Sequence, residues 1–297
     1  MKKTNIPKIS VLTSLFLLLS ISGFFYFSGC VVIQDQPYVV TSDGSQIVQH
    51  VAESCDQLEI VREKARPDRS LATDGFSVLS WNIHKGVEKG FHADLSDLSQ
   101  DIDLLLLQET ALSDELERWL ELDFSKWLLA VAFEKQGTKI GIMAASKATS
   151  LSYCAFQEPE PLFIIPKMML VSTYPLSDTD RRLLVVNAHM VNFTVTSEIV
   201  RKQLAEIAEI IKKHDGPVIV AGDFNTWNSE RESTVNGAMN RLNLQPVTFS
   251  PDNRSIFMNR TVDSIFYRGL EVTDSNSLLV DSSDHNPLRV SFKFTGQ

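Results

Sequence analysis

Cysteine is scarce in this chain: Cys30, Cys55 and Cys154 are the only three in 297 residues, with no Cys-x-x-Cys pair and no cysteine beside a histidine. That spacing argues against a structural zinc site, whose ligands come in close pairs. If Cys30 is used in processing, Cys55 and Cys154 remain as a possible pair in an oxidising compartment. Two free thiols is the competing reading, because the sequence says nothing of their separation in space. Basic charge is short too, with 28 Lys and Arg against 37 Asp and Glu and a net charge of -9. This argues against a broad cationic surface for non-specific nucleic-acid binding, though not against a local basic rim. No internal repeat or low-complexity tract is present, so repeat architectures are set aside.

One long hydrophobic run is there. Lys2, Lys3 and Lys8 precede an uncharged stretch from Ile9 to Gln34, strongly apolar from Val11 to Phe27. Roughly 20 helical residues cross a hydrocarbon core, so the run is long enough to span. Positive charge on its front side predicts an N-terminus kept in the cytoplasm and the remainder exported. Three exported forms compete over residues 1–30: an uncleaved signal anchor, a lipoprotein signal and ordinary cleavage. Ser28-Gly29-Cys30 resembles the bacterial lipobox, with Phe27 where that motif prefers Leu. Residues 31–73, broken at Gln36-Pro37, Asp43-Gly44 and Arg66-Pro67, read as a spacer with one helix around Ile47 to Lys64.

From Phe76 the pattern alternates between strands and helices. Strands are expected over Phe76 to Trp81, Leu104 to Leu107, Ile140 to Ala145, Met168 to Thr173, Leu183 to Asn187, Val218 to Ala221, Ser264 to Tyr267 and Leu288 to Phe294. Val200, Leu204, Ile207 and Ile211 recur at spacings of four, three and four, which predicts a helix from about Ser197 to Lys213 with that face buried. A hydrophobic content of 43% suffices for a substantial core. The chemistry-bearing residues run from Asn82 to His285, so a single catalytic domain over 74–297 is expected.

Those residues stand at strand ends. Asn82 closes the first strand, Gln108-Glu109 the second, Asn187-Ala188-His189 the fifth and Gly222-Asp223-Phe224-Asn225 the sixth, while Asp263 opens the seventh and Ser283-Asp284-His285 precedes the eighth. Each has a bland reading: a turn for Asn82, Asp223, Asn225 and Asp284-His285, a helix start for Glu109, a strand start for Asp263, a satisfied core histidine for His189. Together they supply oxygen ligands for a hard cation, a carboxylate to orient water and imidazoles to move protons, which is the chemistry of metal-assisted phosphoester cleavage. Asp263 is placed to orient His285 through its ring. His84 and Lys85 lie beside Asn82 and are either phosphate contacts or a solvated loop.

Taken in order, Trp81-Asn82, Gln108-Glu109, Asn187-Ala188-His189, Gly222-Asp223-Phe224-Asn225, Asp263 and Ser283-Asp284-His285 resemble the motifs of the endonuclease/exonuclease/phosphatase superfamily, which includes deoxyribonuclease I. Val186 to Phe193, Phe266 to Leu270 and Ser283 to Leu288 are similar to the bacterial YafD-like branch, which carries the domain without an established substrate. The resemblance implies an α/β (α+β) fold, a four-layer α/β/β/α sandwich with two packed mixed sheets, here with an added N-terminal apolar helix. It implies Mg2+ or Mn2+ on Glu109 with Asn82 and Asp284 nearby, and Asp223 orienting or deprotonating the attacking water. It further implies Asn225 positioning water or phosphate, His189 stabilising or protonating, and His285 paired with Asp263. The expected activity is hydrolysis of a phosphoester: a lipid headgroup, a small phosphoester or, as the rival, nucleic acid. A tethered binding module without catalysis is the non-enzymatic alternative. A monomer is expected, held to the membrane by its N-terminal segment with the domain on the periplasmic or extracellular side. The YafD-like branch is generally taken as cytoplasmic, which is the competing location.

Overall fold

A computed structural model describes residues 31–44, 46–51, 55, 70–161, 165–194 and 196–296. The expected apolar N-terminal helix and Cys30 fall outside the described residues, and among those described no helix is long and apolar enough to cross a membrane. The strands in chain order are β1 (Val31–Val32), β2 (Tyr38–Asp43), β3 (Ile47–Val51), β4 (Phe76–Asn82), β5 (Leu104–Ala111), β6 (Lys126–Lys135), β7 (Thr138–Ser146), β8 (Ser152–Pro159), β9 (Pro166–Pro175), β10 (Arg182–His189), β11 (Val218–Asp223), β12 (Gln245–Pro246), β13 (Ile256–Phe257), β14 (Arg260–Thr261), β15 (Asp263–Arg268), β16 (Leu270–Ser277) and β17 (Leu288–Phe294). Among the described residues four α-helices accompany them: α1 (Phe91–Leu98), α2 (Asp114–Asp123), α3 (Glu198–Lys213) and α4 (Ser229–Arg241).

Two large sheets result. One runs β16-β17-β4-β5-β7-β6-β2-β3 with β1 beside β6, and the other runs β12-β15-β11-β10-β9-β8. Each holds one parallel pair, β4 with β5 and β10 with β11, among antiparallel neighbours. The central strands read as unbroken apolar runs because both their faces are covered. Alternation along them sorts the side chains into layers. Leu104 and Leu106 enter the core between the sheets, together with Val185, Ile219 and Ala221. Leu105 and Leu107 point the other way, to a layer shared with Phe91, Leu95, Leu116 and Leu120 of α1 and α2. On the far side, Leu184, Val186, Val218 and Val220 meet Val200, Leu204, Ile207 and Ile211 of α3 and Val235 and Met239 of α4. The order helix, sheet, sheet, helix is the expected four-layer sandwich.

All eight expected strands form, most of them longer than their apolar runs, and α3 buries the expected stripe. Residues read as a spacer are in part structural. β2 pairs along β6, and β3 pairs on β2 in turn, so Ile47–Val51 is a strand where a helix was expected. The reason lies in Tyr38, Val39 and Val40, a β-prone triplet buried against the open side of β6.

Cys55 and Cys154 are joined in a disulfide, their Cα atoms 5.3 Å apart, which decides between the two thiol readings. The bridge ties the chain beyond β3, at the edge of one sheet, to β8, at the edge of the other. Their separation of 99 residues makes the closed loop long, and a loop of that size restricts the unfolded chain by about 4 to 5 kcal/mol. Reduction is therefore expected to lower the melting temperature by roughly 5–15 °C. Cys154→Ser should melt as low as the reduced protein and ignore added reductant, as read by circular dichroism melts with and without dithiothreitol. An unchanged melting temperature would mean the thiols are free.

Candidate active site

Register brings the chemistry together. The parallel pairing of β10 with β11 sets His189 opposite Asp223, and the antiparallel pairing of β11 with β15 sets Asp223 opposite Asp263. Residues directly opposed across strands share a face of the sheet, so the three side chains form one row. In the facing sheet β4 and β5 run parallel with Asn82 opposite Gln108, and Glu109 follows one residue later. The loop carrying His285 enters β17, whose first residue Leu288 pairs with Ser80 just before Asn82. Both rows thus lie at the same end of the sandwich.

The local backbone serves that placement. A side chain at Gly222 would put its Cβ 2.0 Å from the Ala188 carbonyl oxygen, so only glycine lets β11 lie this close to β10 immediately before Asp223. Glu109 adopts φ +49° where the register between β5 and β7 slips from Leu107 to Thr110, a bulge that re-aims its carboxylate. Asn225 has φ +51°, a conformation that asparagine tolerates better than most residues.

Asp223 is the buried centre. Its Oδ1 accepts from the Asn225 N–H at 2.9 Å and its Oδ2 from Asn82 Nδ2 at 3.1 Å. His189 Nε2 lies 3.4 Å from the same Oδ2 and His285 Nε2 lies 3.9 Å away. The two histidines differ in protonation. Burial disfavours the charged His285 ring, but Asp263, by charge and by a 2.8 Å hydrogen bond to Nδ1, with Asp223 and Asp284 behind it, raises its pKa to about 10. Burial and the charge of Lys167 instead lower His189 to about 4, against the opposing pull of Asp223 and Glu109. Lys167 Nζ sits 2.6 Å from His189 Nε2, and an ammonium can only donate, so Nε2 is the acceptor and the ring proton is on Nδ1.

Glu109 Oε2 is 2.6 Å from Lys85 Nζ, and its Oε1 is 3.8 Å from His189 Nε2. Burial alone would raise its pKa, yet His189, Lys167 and Lys85 hold the carboxyl well below the usual range. Because His189 is neutral, the two lysines are the cations that keep Glu109 ionised. Seven of the eight sequence-derived residues are thus bound into one network, with Asn225 also donating from Nδ2 to the Met190 carbonyl. Asp284 is exposed and faces His84 Nδ1 at 4.0 Å.

Three further residues pack into this end of the fold. Lys167 is the one charged residue of β9, which was its readable sign, and Asn187 stands in the Asn187-Ala188-His189 motif. Arg231 is fully buried on α4 and holds the loops after β10 and β11, donating to the carbonyls of Asn225 and Val191 and to Thr194 Oγ1. Asn187, wholly buried, accepts from Gln108 Nε2 at 2.7 Å and donates to the carbonyls of Met143 and Leu107, so it joins the two sheets.

The donor set suits a hard divalent cation, since it is rich in carboxylate oxygen and Glu109 already pairs with an ammonium that a metal ion would displace. Ligand atoms of Asp223, Asp263 and His285 all lie within 4.8 Å of one another, which is also compatible with a metal. In that trio, however, His285 Nδ1 is committed to Asp263 and the charged ring offers no lone pair. Glu109 is the carboxylate of the network whose close partner is an ammonium, the kind of charge a cation would replace.

The inter-sheet bond between Gln108 and Asn187 is testable on stability. Asn187→Leu and Gln108→Leu are each expected to cost about 1–3 kcal/mol in urea unfolding, because each leaves buried polar groups unpaired. The double variant should fall short of the sum by at least about 1 kcal/mol. Strict additivity would mean the two side chains do not interact.

Comparison with known proteins agrees with the geometry. The model of the Endonuclease/Exonuclease/phosphatase family matches residues 79–285. A UPF0294 protein of Vibrio campbellii is 37% identical over 94% of this chain and 96% of its own length. Among solved structures, the human Nocturnin catalytic domain with bound sulfate covers 77% of this chain and 100% of that one at 19% identity and a TM-score of 0.57. ANGEL2, a 2',3'-cyclic phosphatase complexed with adenosine-2',3'-vanadate, covers 74% and 96% at 18% identity and a TM-score of 0.58. At these identities the structural likenesses speak for the fold alone. With its motif-bearing strand ends and the family match across most of the domain, this chain belongs to the Endonuclease/Exonuclease/phosphatase family.

Proposed function

We propose that this protein is a divalent-metal-dependent phosphoester hydrolase in which water attacks phosphorus directly. The observation that carries the reading is a buried, doubly anchored carboxylate, Asp223, set between one neutral and one cationic histidine. Asp223 takes the proton of the attacking water, and Asn225 and Asn82 hold the carboxylate in the orientation that requires. His285, steadied by Asp263, presents its Nε2–H to a phosphate oxygen and stabilises charge developing there. On the other side the Lys167 ammonium, which donates to His189 Nε2, supplies the proton that the departing oxygen receives and is left as the amine. Mg2+ or Mn2+, held by Glu109 with Asn82 and Asp284, would supply Lewis-acid stabilisation of the phosphate oxygens. That one neighbour of the same fold is a 2',3'-cyclic phosphatase supports a phosphoester as the substrate.

For location, we propose an exported domain tethered by the N-terminal run. The Cys55–Cys154 disulfide supports it, since such bonds persist in oxidising compartments. Protease added outside spheroplasts should digest the domain; protection until lysis would place it in the cytoplasm.

Activity is expected on a generic bis-aryl phosphodiester with Mg2+ or Mn2+ and to vanish in EDTA. Asp223→Ala and His285→Ala should each lower kcat by about 10²–10⁴ without unfolding the protein. Glu109→Ala should weaken Mn2+ binding, followed by electron paramagnetic resonance, by at least about tenfold, with Asp263→Asn close to wild type. Wild-type rates in both activity variants would remove the site assignment, and the reverse order of Mn2+ affinities would move the metal to the Asp223, Asp263 and His285 trio.

A further inference from the structure

A cleft of about 210 Å³ opens beside the site, and its two ends differ in character. Lys85, Glu109, Lys167 and His189 line one end. Phe133, Ile140 and Ile142 from β6 and β7, with Met168 of β9 and Ile165 just before that strand, form the apolar remainder. Among the described residues Glu160 is the other charged one in the wall, and both its oxygens are engaged, accepting the N–H groups of Asn192 and Phe193 at 2.7 Å each. The described residues of the apolar walls therefore offer no free side-chain donor or acceptor of the kind that reads the edge of a nucleobase. The volume exceeds the roughly 150 Å³ of an apolar cavity known to hold a benzene ring.

Resting on the hydrolase reading above, we propose that this cleft seats an apolar group of the substrate, so that the phosphate cleaved here is esterified to an alkyl or aryl group and not solely to a nucleoside. The two lysines meet the phosphate charge at the mouth while the hydrocarbon enters between Phe133 and Ile165. Apolar burial of this sort improves affinity by roughly two- to fourfold per methylene until the cleft is full, which at this volume is reached at about six carbons.

Alkylphosphonates test this without turnover, because their carbon–phosphorus bond is not hydrolysed. The full-length protein with Mg2+ would be titrated calorimetrically with ethyl-, butyl-, hexyl- and phenylphosphonate and with adenosine 5'-monophosphate. The dissociation constant is expected to fall at least tenfold from ethyl to hexyl, with phenylphosphonate tighter than ethyl and the nucleotide no tighter than ethyl. Ile165→Asn and Phe133→Asn, on opposite walls, should each flatten the series and leave ethylphosphonate within about twofold. A series flat in the wild type, a nucleotide tighter than hexylphosphonate, or a slope kept in both variants overturns the apolar seat while the hydrolase reading stands. Failure of every phosphonate and of the nucleotide to bind overturns both.

Discussion

The candidate site of this molecule depends on the hydrogen bond between Gln108 and Asn187, because it is a buried side-chain link between the two sheets at the level of the site's two rows of residues. Asn82 and Glu109 belong to one sheet, and His189, Asp223 and Asp263 to the other. Apolar packing between sheets is non-directional and tolerates a slide along the strands. A polar link with fixed geometry does not, since sliding would leave amide groups unpaired in a dry interior. Asn187 also donates to the carbonyls of Leu107 and Met143, so one residue of β10 is keyed to two strands of the other sheet. The 3.1 Å contact between Asn82 and Asp223 follows from that alignment.

Once the rows are aligned, the difference between the histidines follows from their neighbours. Each is largely buried, and burial alone would discharge both. Asp263 reverses this for His285, while Lys167 deepens it for His189. Groups of one chemical type thus take distinct protonation states because a neighbouring strand supplies a carboxylate to one and an ammonium to the other. The same lysine helps hold Glu109 ionised, so the acidic chain, with a net charge of -9, still presents local positive charge where a phosphate would bind.

Legibility in the sequence followed burial and chain locality only in part, since β6, buried from Trp127 to Phe133, was not among the expected strands. Strands covered on both faces, such as Leu104 to Leu107 and Val218 to Ala221, announced themselves as apolar runs, and site residues at their ends could be read from position alone. β16 was missed because Thr273, Asp274, Ser275 and Asn276 make it an exposed edge strand without an apolar period. β3 was missed for a related reason: it is an added edge, with Ile47, Val48 and Val51 left exposed. Lys167, Arg231 and the Gln108–Asn187 link could not be assigned roles, since their partners come from other strands or loops whose alignment only the fold determines. The disulfide was undecidable on the same ground, its two cysteines being 99 residues apart in sequence.

The backbone itself carries the last constraint. His84, Lys85, Glu109 and Asn225 all have positive φ, and all four lie in or beside the site. For a non-glycine residue each such conformation costs on the order of 1 kcal/mol and persists only where the surroundings over-determine it. At Glu109 the surroundings are a strand that must rejoin β7 at Thr110 after the slip; at Asn225 they are the Asp223 carboxylate on its N–H and Arg231 on its carbonyl. A relaxed backbone at Glu109 would restore strand alternation and turn the carboxylate away from Lys85 and His189. The bulge is therefore what aims the Glu109 carboxylate from the end of a buried strand, and the strain is the structural counterpart of placing an ionised group at the edge of a dry core.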